Sequence, residues 1–230
     1  MTRVLVESCV DSLDAALASE AGGAGRLELC ARLDVGGTTP DPALVAAVVA
    51  AVRIPVMAMV RPRGGDFVYD TNELSAMARD VTRMREAGAH GIVTGVLTGA
   101  GDINRALMQV LVRLAGSLPV TCQRAFAAAR DLDTALDTLI GLGVTRVLTS
   151  GGAPTAMEGA DALARLVHRA HGRIAILAGG TVRASNVRAL VEATGVAEVH
   201  ARIIREPGPA DASMRARWTA DVAALVQAAP

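Results

Sequence analysis

The chain has 230 residues, with 23 Lys+Arg balanced by 23 Asp+Glu, and three cysteines. Balanced charge without a basic stripe excludes general nucleic-acid binding, which needs a concentrated positive field. The longest strongly apolar run, residues 43–52, is too short to span a bilayer, and three cysteines do not make a disulfide framework.

Residues 1–8 carry Arg3 and Glu7 and do not form a signal-peptide core. The expected location is therefore the cytoplasm, with no membrane partner. One pattern then recurs along the chain: a helical period ends at a glycine, and a short apolar run starts two to four residues later. It occurs at Gly22, Gly88, Gly143 and Gly195. Glycine just past a helix end takes the left-handed conformation that closes the last turn, so each repeat marks a helix-to-strand junction.

In chain order, strands are expected over residues 3–9, 26–30, 56–61, 91–97, 119–124, 145–149, 174–178 and 197–200. Helical stripes lie between them. Leu74, Met77, Val81 and Met84 make one, and Ile103, Leu107, Val110 and Leu114 another. Leu132, Ala135, Leu136 and Leu139 follow, then Leu163, Leu166, Val167 and Ala170, then Val187, Leu190 and Val191. Asp11 with Asp14, and Ser185 before Asn186, read as helix starts. Eight strand–helix units in one uninterrupted chain are the count for a single (β/α)₈ TIM-barrel domain over residues 1–230. A doubly wound open sheet is the alternative, although it rarely needs eight regular units.

Such barrels keep their sites at the C-terminal strand ends. Here those ends offer Glu7 and Cys9, Glu28 and Cys30, Arg61 and Arg63, Gln123 and Arg124, Thr149 and Ser150, and His200 with Arg202. Residues two apart on a strand share a face, so Glu-x-Cys is spelled twice on neighbouring strands. A buried carboxylate needs a partner, and Arg61, Arg124 and Arg202 are the expected ones for Glu7 and Glu28. A self-satisfied ion network is the bland alternative.

The third strand runs into Arg61-Pro62-Arg63-Gly64-Gly65-Asp66-Phe67-Val68-Tyr69, which holds both arginines, one of the chain's two phenylalanines and its one tyrosine. Fixed guanidiniums offer planar forks that suit carboxylate or phosphate. Ser150-Gly151-Gly152 and Gly179-Gly180-Thr181 add backbone amides at the same mouth. The candidate anion contacts are Arg61, Arg63, Arg124, Ser150 and Gly180; the candidate acid–base groups are Glu7, Glu28 and His200. His90, His168 and His171 are expected on the surface. Cys9 and Cys30 on adjacent strands could face each other and hold Cu(I), which selects soft sulfur ligands. They could equally be small core hydrophobes, and barrel shear could keep them apart.

Nearly the whole chain resembles the copper homeostasis protein CutC family. The matching motifs include Glu7-Ser8-Cys9, Arg26-Leu27-Glu28-Leu29-Cys30, Gly36-Gly37-Thr38-Thr39-Pro40, Arg61-Pro62-Arg63-Gly64-Gly65-Asp66-Phe67 and Arg146-Val147-Leu148-Thr149-Ser150-Gly151. The resemblance implies a (β/α)₈ barrel, a cytoplasmic homodimer and a role in copper tolerance or binding, with Cys9 and Cys30 as copper ligands. It also marks departures: the family pattern carries a histidine and an aspartate where this chain has Gln123 and Ala127, and a serine before the alanine of His200-Ala201-Arg202. Two functions follow. One is Cu(I) binding in copper homeostasis; the other is an enzyme acting on a small carboxylate or phosphate metabolite.

Overall fold

The computed structural model describes residues 3–204 and 210–230. Among these residues, eight strands form a closed parallel barrel in sequence order, with β1 pairing both β2 and β8. The strands are β1 (Leu5–Val10), β2 (Arg26–Leu29), β3 (Val56–Met59), β4 (Gly91–Thr94), β5 (Val120–Cys122), β6 (Arg146–Thr149), β7 (Ala175–Ala178) and β8 (Glu198–Ala201). The helices are α1 (Leu13–Ala21), α2 (Pro42–Ala51), α3 (Thr71–Glu86), α4 (Arg105–Ala115), α5 (Leu132–Gly141), α6 (Ala160–Ala170), α7 (Val187–Thr194) and α8 (Ala212–Ala228). A short 3₁₀ turn, Leu33–Val35, sits on the loop after β2. The expected (β/α)₈ barrel is the fold, and the open sheet is ruled out by closure. Most expected strands overrun the observed ones at one or both ends, because inter-strand hydrogen bonding stops where the loops begin to diverge.

Both faces of nearly every strand are buried, which is why the strands read as apolar runs without alternation. The large core lies between the barrel and its helices. A second cluster fills the barrel itself: Cys9, Cys30, Met57, Met59 and Val93, with Leu33 packed on top. Most helices start where a short polar side chain can accept an otherwise unsatisfied amide. Ser12 caps α1, Asp41 caps α2, Asn104 caps α4 and Asp131 caps α5, while Asp70 and Glu73 form a reciprocal capping box on α3. The first helix thus starts at Ser12, between the two aspartates expected there.

The stripes of α3, α5, α6 and α7 face the core as expected. That of α4 does so in part, with Ile103 buried and Leu107 and Leu114 packed against the core. Met108, Leu111 and Ala115 are its buried face, Val110 is 47% exposed, and Ile103 precedes the helix in a bridge with Leu97. The segment carries apolar residues on more than one face, so its period admits two phases, and packing turns Met108, Leu111 and Ala115 furthest inward.

The barrel is closed on its outside by α8 against α1. Gly22, at the end of α1, lies so close that a Cβ there would come within 2.6 Å of Val222 Cβ and 2.8 Å of the Thr219 carbonyl oxygen. Its φ of −76° is open to any residue, so space alone demands glycine. Gly22→Ala should therefore cost about 1–3 kcal/mol by overpacking. Urea denaturation should show a lower midpoint with an unchanged slope; an unchanged midpoint would mean that the two helices can part freely.

Candidate functional site

Three strands that neighbour one another, β8, β1 and β2, place charged residues at alternate positions on one face. These are Glu198 and His200, Glu7 and Cys9, and Arg26 and Glu28, with Cys30 just beyond. In the register, Glu7 lies beside both Arg26 and His200, and Cys9 lies beside Glu28. Alternation on a strand and pairing across strands together bring these residues into one web.

The lowest part of the web is ionic. Arg26 Nε donates to Glu7, and its Nη2 donates to Glu198 at 2.6 Å. Glu198 also pairs with Arg146, which donates from Nη1 to Thr121 Oγ1 at 3.3 Å. Glu7 is 1% exposed and Arg26 4%, so the pair lies fully inside the barrel. The expected partners of Glu7, the arginines of the mouth, are not its partners; Arg26 is. It sits one layer lower, and the register puts it directly alongside. The signal was the two-residue spacing of Arg26, Glu28 and Cys30, which puts the arginine on the glutamate's face.

Above this pair stands the well. His200 Nδ1 is 2.8 Å from Glu7 Oε1, and its Nε2 is 3.7 Å from Glu28 Oε2. One ligand atom each from Cys9, Glu28 and Cys30 lies within 4.8 Å of the others, and the same limit holds for Glu7, Glu28 and His200. The cysteines do meet, because shear brings Cys9 level with Glu28 and Cys30 curls off the end of β2. The Cys30 thiol donates to Glu28 Oε2 at 3.6 Å.

This crowding sorts the protons. Burial would raise the Glu7 carboxyl, but the His200 hydrogen bond and the Arg26 charge outweigh it and bring it down to about 2. Glu28 has no arginine beside it; burial and the Cys9 charge push it well up. The Cys9 thiol falls to about 5 because Cys30 hydrogen-bonds to it and His200 stands near. That same bond to Cys9, with burial, drives Cys30 up. Burial would lower the His200 imidazole, but the Glu28 charge and hydrogen bonds to Cys9 and Glu7 raise it well above its ordinary value. The well thus sets an imidazole that holds its proton more tightly than usual between a carboxylate whose ionised form is favoured, Glu7, and one whose ionised form is disfavoured, Glu28, with Cys9 the more acidic of the two thiols.

Arg61 occupies the rim but, among the described residues, pairs with no carboxylate. Its Nη1 donates to the carbonyls of Val35, Gly36 and Gly37 at 3.3, 3.2 and 3.1 Å, and its Nη2 to that of Gly65 at 2.8 Å. Its guanidinium lies 4.8 Å from the centre of the Phe67 ring. Arg61 therefore ties the loop after β2 to the loop after β3. Arg63 is drawn outward instead, to Glu73 at 2.6 Å and Asp66 at 3.0 Å, over the Tyr69 ring. It lines neither cavity of the mouth.

Two cavities share that mouth. The inner one, about 240 Å³, is lined by Cys9, Glu28, Met59, Arg61, Gln123 and His200 among others. The outer one, about 720 Å³, lies over the ends of β6, β7 and β8 and holds Ser150, Gly180 and Arg183. Arg124, Arg202, Phe67, Leu148 and His200 line both. Of the candidate residues, then, Glu28, Cys9, His200, Arg61, Arg124, Ser150 and Gly180 converge, Glu7 and Cys30 support them from below, and Arg63 stands apart. Cys122 is buried elsewhere in the core, and burial pushes its thiol up to about 12. His90 is on the surface, its Nδ1 accepting from the Val56 amide at 3.1 Å.

The protein is a closed (β/α)₈ barrel with a thiol–carboxylate–imidazole well at its C-terminal mouth. The CutC family model matches residues 4–204, and the chain belongs to the CutC family. It is 44% identical over 206 residues to a protein of Mus musculus named copper homeostasis protein cutC homolog, covering 89% of this chain and 76% of that one. It is 45% identical over 196 residues to a CutC family protein of Xanthomonas axonopodis, covering 85% of this chain and 82% of that one. The crystal structure of a CutC protein from Streptococcus agalactiae superposes with a TM-score of 0.83 at 33% identity, covering 87% of this chain and 100% of that one. A structure described as an aldolase superposes at TM-score 0.62 with 15% identity, which shows the shared fold alone.

The Glu7 carboxyl has an acid consequence. With its native pKa depressed to about 2, its ionised form adds stability that is fully present above the ordinary carboxylate range near pH 4.5. That stability is lost as pH falls through the native value. Denaturation midpoints should therefore drop between about pH 5 and pH 2. Glu7→Gln, which leaves Arg26 with one acidic partner fewer, should lose about 3–5 kcal/mol at pH 7 and show a flatter acid limb. An acid limb equal to wild type would remove Glu7 from this role.

Proposed function

We propose that this protein serves copper homeostasis by binding Cu(I) through Cys9 and Cys30. One observation carries the reading: two free cysteines and a carboxylate offer ligand atoms within 4.8 Å of one another, next to a cavity. Thiolates are the soft donors that select Cu(I), and two can hold it at low coordination. Glu28 Oε1 is buried without a hydrogen-bond partner, and a cation beside it would supply one. The copper is cargo here, held and passed on through the mouth. The family supports the same reading, and with it a single-domain homodimer in the cytoplasm, where thiols stay reduced.

A second reading, an enzyme acting on a small anion, is favoured by a separate observation. The inner well sets the Glu28 carboxyl 3.7 Å from the His200 imidazole, both lining a cavity and both shifted upward in pKa. These are proton-transfer groups that a carrier does not need. Arg124, Ser150 and Gly180 would then face the substrate, with Arg61 holding the loops around it.

Anaerobic Cu(I) titration against a competing chromophoric chelator separates the readings. Cys9→Ser and Cys30→Ser should each weaken binding about 100-fold or more, since even outer partners of a metal ligand cost about 10–100-fold. Cys122→Ser should bind as wild type does. Equal loss in Cys122→Ser, or full affinity in either single variant, overturns the assignment.

A further inference from the structure

The outer cavity holds a charge imbalance that the copper reading leaves unused. Arg124, Arg183 and Arg202 line it, and among the described residues no Asp or Glu does. Among the described residues none of the three makes a salt bridge, whereas Arg83, Arg165, Arg169 and Arg215 on the barrel's helices each have one. Arg202 donates one bond, to the Leu33 carbonyl at 3.0 Å, and its Nε is buried without a partner. Arg183 donates only to the neighbouring Val182 carbonyl, at 2.6 Å, from its side chain. Three guanidiniums gathered in a concavity without counter-charge raise a field that an anion lowers.

The backbone adds donors. The amides of Gly152, Gly180 and Thr181 have no acceptor among the described residues. The loop is shaped to keep them open: Thr181 holds φ at 60°, costly for a β-branched residue, and Gly180 at 111°. A Cβ on Gly180 would stand 3.0 Å from Ser150 Cβ. Three planar cations and three free amides outnumber what two carboxylate oxygens accept. They suit a dianion with three terminal oxygens.

The adjoining well states what the anion is attached to. Arg61 Nε, Gln123 Nε2 and Glu28 Oε1 are buried without partners, and all three residues line the inner cavity. Gln123 is 2% exposed and stands where the family pattern has histidine. An apolar ligand would leave these groups bare, at the full desolvation penalty of each; hydroxyl or carbonyl oxygens would satisfy them. Met59, Leu148 and Phe67 supply walls for a short carbon chain.

We propose that the outer cavity seats the phosphate of a phosphate monoester, and that the ester's small hydroxy or keto body enters the inner well. This rests on the second functional reading and gives it a ligand class. The test is calorimetry on the metal-free full chain at matched ionic strength, with inorganic phosphate, glycerol 3-phosphate, acetate and citrate as probes. Phosphate and the ester should bind, the ester more tightly, and the carboxylates should not. Arg183→Gln and Arg124→Gln, checked for folding by circular dichroism, should each weaken ester binding about tenfold or more. Absence of binding, equal binding of acetate and citrate, or wild-type affinity in both arginine variants overturns the proposal. Glu28→Gln separates the two readings: phosphate binding should persist there. Ester bound but never converted by wild type supports the anion subsite and removes the catalytic reading.

Discussion

An ionised carboxylate inside a barrel is the constraint on which the site depends. Glu7 is almost wholly buried, and the barrel interior offers no water to solvate it. Two cations answer it from opposite neighbours in the sheet, Arg26 on β2 and His200 on β8. Because these are side chains of adjacent strands, the ion web is a register lock. Slipping β1 by one residue would bury Glu7 outside among helices and leave Arg26 facing no acid. The same lock fixes His200, and with His200 the geometry of everything above it. Arg146 and Thr121 extend the lock to β5 and β6 through Glu198.

The upper rim is held by a different device. Arg61 is buried with its fork spent on four carbonyl oxygens of two loops and its face on Phe67. Carbonyl partners satisfy a guanidinium without cancelling its charge. The rim arginine thus organises the mouth and still leaves the cavity positive. Arg63 does the opposite: Asp66 and Glu73 neutralise it, and its stack on Tyr69 fixes the outer flank of the loop. Two arginines flanking one proline therefore take opposite electrostatic roles, since both lie past the end of β3, where strand alternation no longer holds residues two apart on one face.

How far the residues alone disclosed this differs between fold and site. Gly88, Gly143 and Gly195 take positive φ where helices end, so the junctions were legible as local chemistry, and eight units then implied the barrel. The strands' double-sided burial was legible too, as uninterrupted apolar runs. The phase of α4 was not, because Leu107, Val110 and Leu114 compete with Met108, Leu111 and Ala115 and only packing decides. At the site, the mouth's residue types were legible from strand ends, but their pairing was not. Glu7 met Arg26 rather than Arg61 because shear sets which residues stand level, and shear is a property of the closed barrel. Arg26, Glu198 and Arg146 were readable only as same-face neighbours of residues already chosen.

The replacement of a family histidine by Gln123, and of an aspartate by Ala127, has a physical reading in this frame. A histidine at position 123 would have set a second titrating imidazole across the well from His200, and an aspartate near Arg124 would have neutralised part of the mouth. Here Ala127 lines the outer cavity without charge, and Gln123 offers a neutral amide, whose Oε1 accepts from the Ala125 amide at 2.7 Å while its Nε2 stays free. The titratable side chains left in the well are then Glu7, Cys9, Glu28, Cys30 and His200, and among the described residues no carboxylate pairs with Arg124 or Arg202 at the mouth. The substitutions leave positions 123 and 127 on the β5 side without a titrating side chain. The thiol pair and the Glu7 lock beneath the mouth stay complete.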